Sequence, residues 1–268
     1  MQVPFTEQAT ANHTPDPKTH GGYLQQLDPR VRIVTTLLMI MGVVLTPAYH
    51  WTAYPLLWTL IGCLAALSGI SVWSLNRKAV LALPFALTAI TLLVTVPGQP
   101  VASIAGLTIT DTGLARFIGI VCKSWLSMQV ALLLILTTPM PELLSALGVL
   151  RVPPMLIAIL SFMYRYLFIL RDEAEKLLRA RAARSGAVAG SPHGGSLLWR
   201  ARITGGMVGN LFLRSYERSE RVSAAMLARG YNGSLIHQHR PPPLTWQMIA
   251  LGSLPVVAVL SIQLIANL

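Results

Sequence analysis

Two short stretches decide how this sequence is read: Ala180-Arg181-Ala182-Ala183-Arg184-Ser185 and Ala225-Met226-Leu227-Ala228-Arg229-Gly230. Both follow the pattern A-x-x-A-R-[S/G], and they begin 45 residues apart inside the only long hydrophilic segment, Arg171 to Arg240. Each copy ends what reads as a long helix and sets an arginine just before small residues. A cation is favoured at a helix C-terminus by the macrodipole, and Gly186 and Gly230 are the expected left-handed terminators. Taken singly, Arg184 and Arg229 are ordinary C-caps. Two copies of one pattern point further, to helix tips built for a partner. A guanidinium forks onto a carboxylate, and Ala180, Ala183, Ala225 and Ala228 let the tip come close.

The rest of the chain is a membrane frame. Of 268 residues, 53% are hydrophobic and only 12% charged, roughly half the charge of a soluble domain. The net charge is +11. Between Arg171 and Arg240, twelve basic residues face five acidic ones, a local +7. In a membrane protein such a block is the excess of Lys and Arg on the cytoplasmic side rather than a nucleic-acid surface. Residues 1–26 are polar, with Pro4, Pro15 and Pro17 and no apolar core. They read as a flexible cytoplasmic N-terminus without a cleavable signal, so the first span directs insertion.

Asp28 and Pro29 are placed to start the first helix, Asp28 as N-cap and Pro29 in the first turn, with Arg30 and Arg32 at its inner end. Four spans are expected in 27–138: about Val31–Thr46, Tyr54–Trp73, Ala79–Val96 and Phe117–Thr138. Asn76-Arg77-Lys78 marks a second inner loop. Val101–Ile109 is apolar but too short to cross, with Asp111 and Gly113 ending that piece outside. Pro153 to Leu170 reads as a further span by hydropathy, but a crossing there would put the +7 block outside. It therefore reads as lying in or against the inner face, continuous with the polar helix that ends at Arg184. Leu244–Leu264 supplies a fifth crossing, bounded at 244–265. The expected fold is all-α: about five transmembrane helices and, over 139–240, a cytoplasmic module of two long helices and a short one.

No catalytic constellation is visible. None of the four lysines follows a glycine, so the chain has no P-loop. His237-x-His239 is the only ligand-like histidine spacing and it falls in a loop. Cys63 and Cys122 sit in apolar runs without metal spacing, as buried small hydrophobes. Asp172, Glu173 and Glu175 are expected to pair along their own helix with Lys176 and Arg179. No acid lies within an expected span, which disfavours a self-sufficient metal channel or carrier. Lys123 is well inside span 4, six residues from its outer end, and is expected to snorkel outward. Tyr164-Arg165-Tyr166 reads either as an interfacial arginine between aromatics or as a grip on another membrane subunit.

These residues resemble a family. Leu27-Asp28-Pro29-Arg30, Thr137-Thr138-Pro139-x-Pro141-Glu142-Leu143, Tyr164-Arg165-Tyr166, Glu173 and the two arginine copies are similar to the transmembrane T component of energy-coupling-factor transporters, nearest its cobalt branch. Ser185 stands where the first copy usually has glycine. The resemblance implies a scaffold with no catalytic, metal or cofactor site of its own. It implies two ATP-binding-cassette ATPase partners, which carry ATP and magnesium. Helix tips at Ala183-Arg184-Ser185 and Ala228-Arg229-Gly230 would dock into grooves of those ATPases. It also implies a metal-binding membrane S component, alone or with a small accessory membrane subunit, gripped near Tyr164, Arg165 and Tyr166. The two long coupling helices would cross, the 139–151 segment would form a short coupling helix, and ATP would draw the two tips together. The expected setting is a bacterial inner membrane, multi-pass, with the N-terminus in the cytoplasm and no nucleic-acid partner. Cobalt is the expected substrate, with nickel, biotin or another vitamin as the alternative cargo of the same scaffold.

Overall fold

The computed structural model describes residues 22–47, 49–82, 84, 87–91, 95–97, 100–104, 107–184, 197–231 and 245–267. Ser185, Gly186, the 189–195 loop, the Arg240-Pro241-Pro242-Pro243 lead-in, His193, His237, His239 and most of the N-terminal segment lie outside them. The helices are α1 (Pro29–Leu45), α2 (Ala53–Leu67), α3 (Val72–Ala79), α4 (Asp111–Thr137), α5 (Met140–Val149), α6 (Pro154–Arg184), α7 (Leu197–Ala228) and α8 (Trp246–Asn267). One antiparallel hairpin, β1 (Pro100–Ile104) with β2 (Leu107–Thr110), precedes α4. The protein is an all-α multi-pass membrane protein. Among the described residues, Asp111–Thr137, Pro154–Arg184 and Trp246–Ala266 are long and apolar enough to cross a bilayer.

The chain divides into two compact units, one running to Ala146 and resuming at Pro241, the other Leu147–Arg240. The first is built on α1, α2, α4 and α8, around Val43, Leu57, Ile61, Val130 and Val259. Leu37, Met41, Leu45, Leu254, Val257 and Leu264 stay exposed. That is the outward face a lipid-embedded bundle needs and a soluble one avoids.

Residue choice explains the local boundaries. Asp28 caps α1, its Oδ1 accepting from the Arg30 N–H at 2.9 Å, and Pro29 holds the first helical position. Ahead of it, the Tyr23 hydroxyl donates to the Leu251 carbonyl at 2.6 Å. Burial pushes the Tyr23 phenol above its ordinary range. The second helix ends at Leu67 rather than Trp73, because Gly69 (φ +72°) turns the chain out of the helix. The third expected span is not one α-helix over its described residues. α3 starts earlier, carries Asn76-Arg77-Lys78 within it, and gives way to 3-10 turns at Val80–Ala82 and Leu87–Thr91. Pro84 has no N–H for the ladder. The Thr91 and Thr95 hydroxyls bond back to the Thr88 and Thr91 carbonyls at 3.2 and 2.9 Å. Asp111 opens α4 rather than closing the apolar piece before it. Thr110 caps that helix through the Gly113 N–H, and the acid sits in the positive first turn.

Two glycines let α1 and α8 touch. A Cβ on Gly42 would lie 2.6 Å from Val259 Cγ1, and one on Gly252 would overlap Val31 Cγ1. The Thr35 hydroxyl donates to the Gly252 carbonyl at 3.0 Å, and the Gln263 amide donates to the Gly42 carbonyl. Small residues plus side-chain hydrogen bonds are what hold helices together where lipid offers no hydrophobic advantage. Gly252→Leu is expected to destabilise the membrane unit by about 2 kcal/mol or more. Thermal unfolding of the detergent-solubilised protein checks it, and an unchanged Tm would refute this close approach.

Candidate functional site

Helices α6 and α7 form the second unit, and they run antiparallel. Arg181 near the end of α6 donates to the Thr204 hydroxyl near the start of α7 at 3.3 Å. Glu173, mid-way along α6, reaches Arg214 and Arg218 in the middle of α7. Phe162, Tyr166 and Leu170 meet Val222, Met226 and Tyr231 at the far end of α7. The half-buried positions on α7 are Ile203, Met207, Leu211, Ser215, Arg218, Val222 and Met226. That stripe of three- and four-residue steps is the single face α7 turns to a neighbour.

This geometry places the two arginine motifs at opposite ends of the pair. Arg184, the last residue of α6, shares a groove with Trp199, Ile203 and Met207 at the start of α7. Arg229 is the C-cap at the other end of α7. At 1.5 Å per residue the two tips stand roughly 40 Å apart along α7. The second copy ends in a complete Schellman motif. The Gly230 N–H donates to the Leu227 carbonyl at 2.9 Å, the Tyr231 N–H donates to the Met226 carbonyl at 3.0 Å, and Gly230 sits at φ +80°. Tyr231 and Met226 both line the neighbouring groove, as the hydrophobic contact of such a motif requires. Ala180, Ala183, Arg184, Ala225, Ala228, Arg229 and Gly230 are all exposed, so neither guanidinium is committed to a buried contact.

The tips share a pattern but not a setting. Beside Arg229 the groove holds about 460 Å³ and is lined chiefly by apolar side chains. Beside Arg184 the groove of about 470 Å³ gathers Arg181 and Arg214 as well. Between them, Glu173 is only 19% exposed and faces Arg214 at 3.5 Å and Arg218 at 3.4 Å. The local pairing expected for Glu173 is therefore corrected: its partners are on the other helix. Glu175 does pair along α6, with Arg171 at 3.0 Å and Arg179 at 3.5 Å. Arg214 and Arg218 have no motif to mark them. Only their four-residue spacing, which puts both on one face, hinted at a shared partner.

The Tyr164-Arg165-Tyr166 segment splits. Tyr166 lines the apolar groove, Tyr164 packs edge-on against Phe168 with ring centroids 5.0 Å apart, and Arg165 is exposed. Met155, Ile159, Met163 and Leu167 form an exposed apolar stripe at four-residue spacing on α6, and Val208, Phe212 and Tyr216 another on α7.

In the membrane unit, the Lys123 ammonium donates to the Val44 carbonyl at 3.1 Å, in the unsatisfied last turn of α1. Asp28, Pro29 and Arg30 begin α1, and Arg30 lies 3.8 Å from the Asp28 carboxylate. Cys63 and Cys122 are free thiols, Cys63 exposed and Cys122 half-buried. Among the described residues no group of three or more His, Cys, Asp or Glu side chains is arranged to hold a metal ion.

Known proteins share this architecture in sequence. The family model for the cobalt transport protein CbiQ matches residues 21–242. The energy-coupling factor transporter transmembrane protein EcfT of Listeria innocua is 30% identical over 80% of this chain and 82% of its own length. The nickel permease LarQ of Lactiplantibacillus plantarum is 35% identical over 38% of this chain and 34% of its own. The cobalt transport protein CbiQ of Rhodobacter capsulatus is 35% identical over 37% of this chain and 38% of its own. A match over most of the sequence, arginine tips included, settles the family: this chain belongs to the CbiQ cobalt transport family, which takes in transmembrane T components of energy-coupling-factor transporters.

Proposed function

We propose that this chain is the non-catalytic coupling subunit of an ATP-driven metal importer, with cobalt as its cargo and nickel as the second reading that the LarQ likeness favours. The observation that carries the proposal is the pair of exposed arginine tips, one at each end of an antiparallel helix pair. One tip serves each of two ATP-binding-cassette ATPases, which bring ATP and magnesium. At each tip an ATPase carboxylate takes the guanidinium in a forked, charge-assisted bond. The α6 and α7 apolar stripes are the seat for a metal-binding membrane S component, and Gly205, Gly206 and Gly209 leave room for its close approach.

The basic unit and the N-terminus face the cytoplasm, following the excess of Lys and Arg, with five crossings in the cell membrane. ATP binding closes the ATPases, α6 and α7 shift about the Glu173 contact, and the S component tilts to release its ion inward.

Affinity purification of the tagged chain from its native host is expected to bring down two ATPase subunits and one further membrane protein. The complex in liposomes is expected to take up cobalt only with internal substrate ATP at the ATPases. Cobalt flux through the chain alone would overturn the reading. Competition between cobalt and nickel on the intact complex decides the cargo.

A further inference from the structure

Arg32 was visible in the sequence only as a charge marking the inner end of α1, yet it is one of the most heavily engaged side chains in the membrane unit. Its side chain is 6% exposed. Its Nη1 donates to the Thr137 carbonyl at 2.9 Å and to the Thr138 hydroxyl at 3.2 Å, and its Nη2 donates to the Gln25 carbonyl. The Glu142 carboxylate, 49% exposed, lies 3.8 Å from Nη1. Burying an arginine is expensive, and an apolar residue of the same volume is often the more stable choice. The position of these partners says what the charge is used for.

Thr137 ends α4, and Glu142 lies in the first turn of α5. Only Thr138 and Pro139 separate the two helices. One guanidinium therefore touches the negative end of one helix and the acid at the positive start of the next, on both sides of a two-residue link. Pro139 and Pro141 further restrict that link. The chain leaves the membrane unit a few residues later, at Ala146 within α5.

We propose that Arg32 is a positioning residue of the transport cycle: it fixes the α4–α5 junction, the point from which the coupling helices depart, and transport per ATP depends on that hold. The inference rests on the coupling reading given above. Arg32 touches neither cargo nor ATPase. It acts by keeping α5 from yielding when force arrives along it, so that motion is not absorbed at the link.

The test uses the complete complex in liposomes, with cobalt uptake and ATP hydrolysis measured on the same preparation. Arg32→Lys keeps the charge but loses the fork. Glu142→Gln removes the acid while Arg32 keeps its carbonyl and hydroxyl partners. Both variants are expected to retain the ATPases and hydrolyse ATP within about twofold of the unaltered complex. Uptake per ATP is expected to fall roughly tenfold in Arg32→Lys and about threefold in Glu142→Gln, the range seen for residues that carry coupling without touching a ligand. A purely structural arginine would lower the yield of complex and leave that ratio unmoved. If Arg32→Lys fails to insert, Glu142→Gln decides alone, since its half-exposed site carries little folding risk. Unchanged uptake per ATP in an assembled variant overturns this inference and leaves the coupling reading standing. An unaltered chain that holds no ATPase overturns both.

Discussion

Reversing both tips at once, Arg184→Asp with Arg229→Asp, is expected to strip the ATPases from the purified complex, while either reversal alone removes about half of them. The asymmetry between single and double variants follows from geometry. The tips stand roughly 40 Å apart by helix rise, at opposite ends of α6 and α7, and the proposed docking gives each ATPase its own tip. Each arginine is exposed and each is flanked by exposed alanines. On the proposed docking, an aspartate at either place would meet an ATPase carboxylate with a like charge, and losing one side of a buried interfacial charge pair costs about 2–5 kcal/mol. That is roughly thirtyfold or more in affinity. The cost to the chain itself is small, since a wrong charge at a helix C-terminus is worth only about 0.3–1 kcal/mol. The measurement is the ratio of ATPase to coupling chain after purification without nucleotide, so that ATP does not itself hold the ATPases together. A double variant that retains both ATPases would refute the docking role. A single variant that loses both would refute the one-tip-per-subunit geometry.

Much of this site is legible in the sequence because helix ends are local events. A cation, a small residue and a left-handed glycine at 229–230 specify a C-terminus with no help from the rest of the fold, and the Schellman bonds of Gly230 and Tyr231 are its direct product. The continuity of α6 is likewise written in one uninterrupted stretch without an internal proline. Partnerships across helices are another matter. Glu173 has Lys176 nearby on its own helix, and sequence spacing offers only such neighbours. The true partners, Arg214 and Arg218, come from about forty residues away once α7 folds back against α6. Arg32 is hidden for the same reason, its partners Thr137 and Thr138 being more than a hundred positions distant. The third expected span is a different case. Its hydropathy is that of a crossing helix, while its described residues include 3-10 turns at Val80–Ala82 and Leu87–Thr91 around Pro84, which has no N–H to give an α-helical ladder. Hydropathy alone carries no information on that local backbone choice.

The Glu173 contact carries the second large prediction. Glu173→Arg places a third cation against Arg214 and Arg218, which lie one turn apart on α7. The native arrangement is stable because one carboxylate, sheltered at 19% exposure, neutralises two guanidinium groups that would otherwise repel each other. Removing it costs the two contacts and restores that repulsion. A partly buried network of this kind is expected to be worth about 1–3 kcal/mol, well above an isolated surface pair. In the full complex, Glu173→Arg is expected to keep both ATPases, because neither tip is touched, yet to reduce metal uptake at least tenfold as α6 and α7 lose their shared pivot. Combining it with Arg214→Glu and Arg218→Glu reverses every charge at the contact while keeping its geometry, and should recover a substantial part of that uptake. Recovery separates an electrostatic pivot from a merely bulky substitution. Uptake that stays low in the reversed triple variant, with the complex intact, would mean that Arg214 or Arg218 also serves another partner. Unimpaired uptake in Glu173→Arg alone would show that the two helices need no fixed contact at their middle, and that motion is transmitted through their ends.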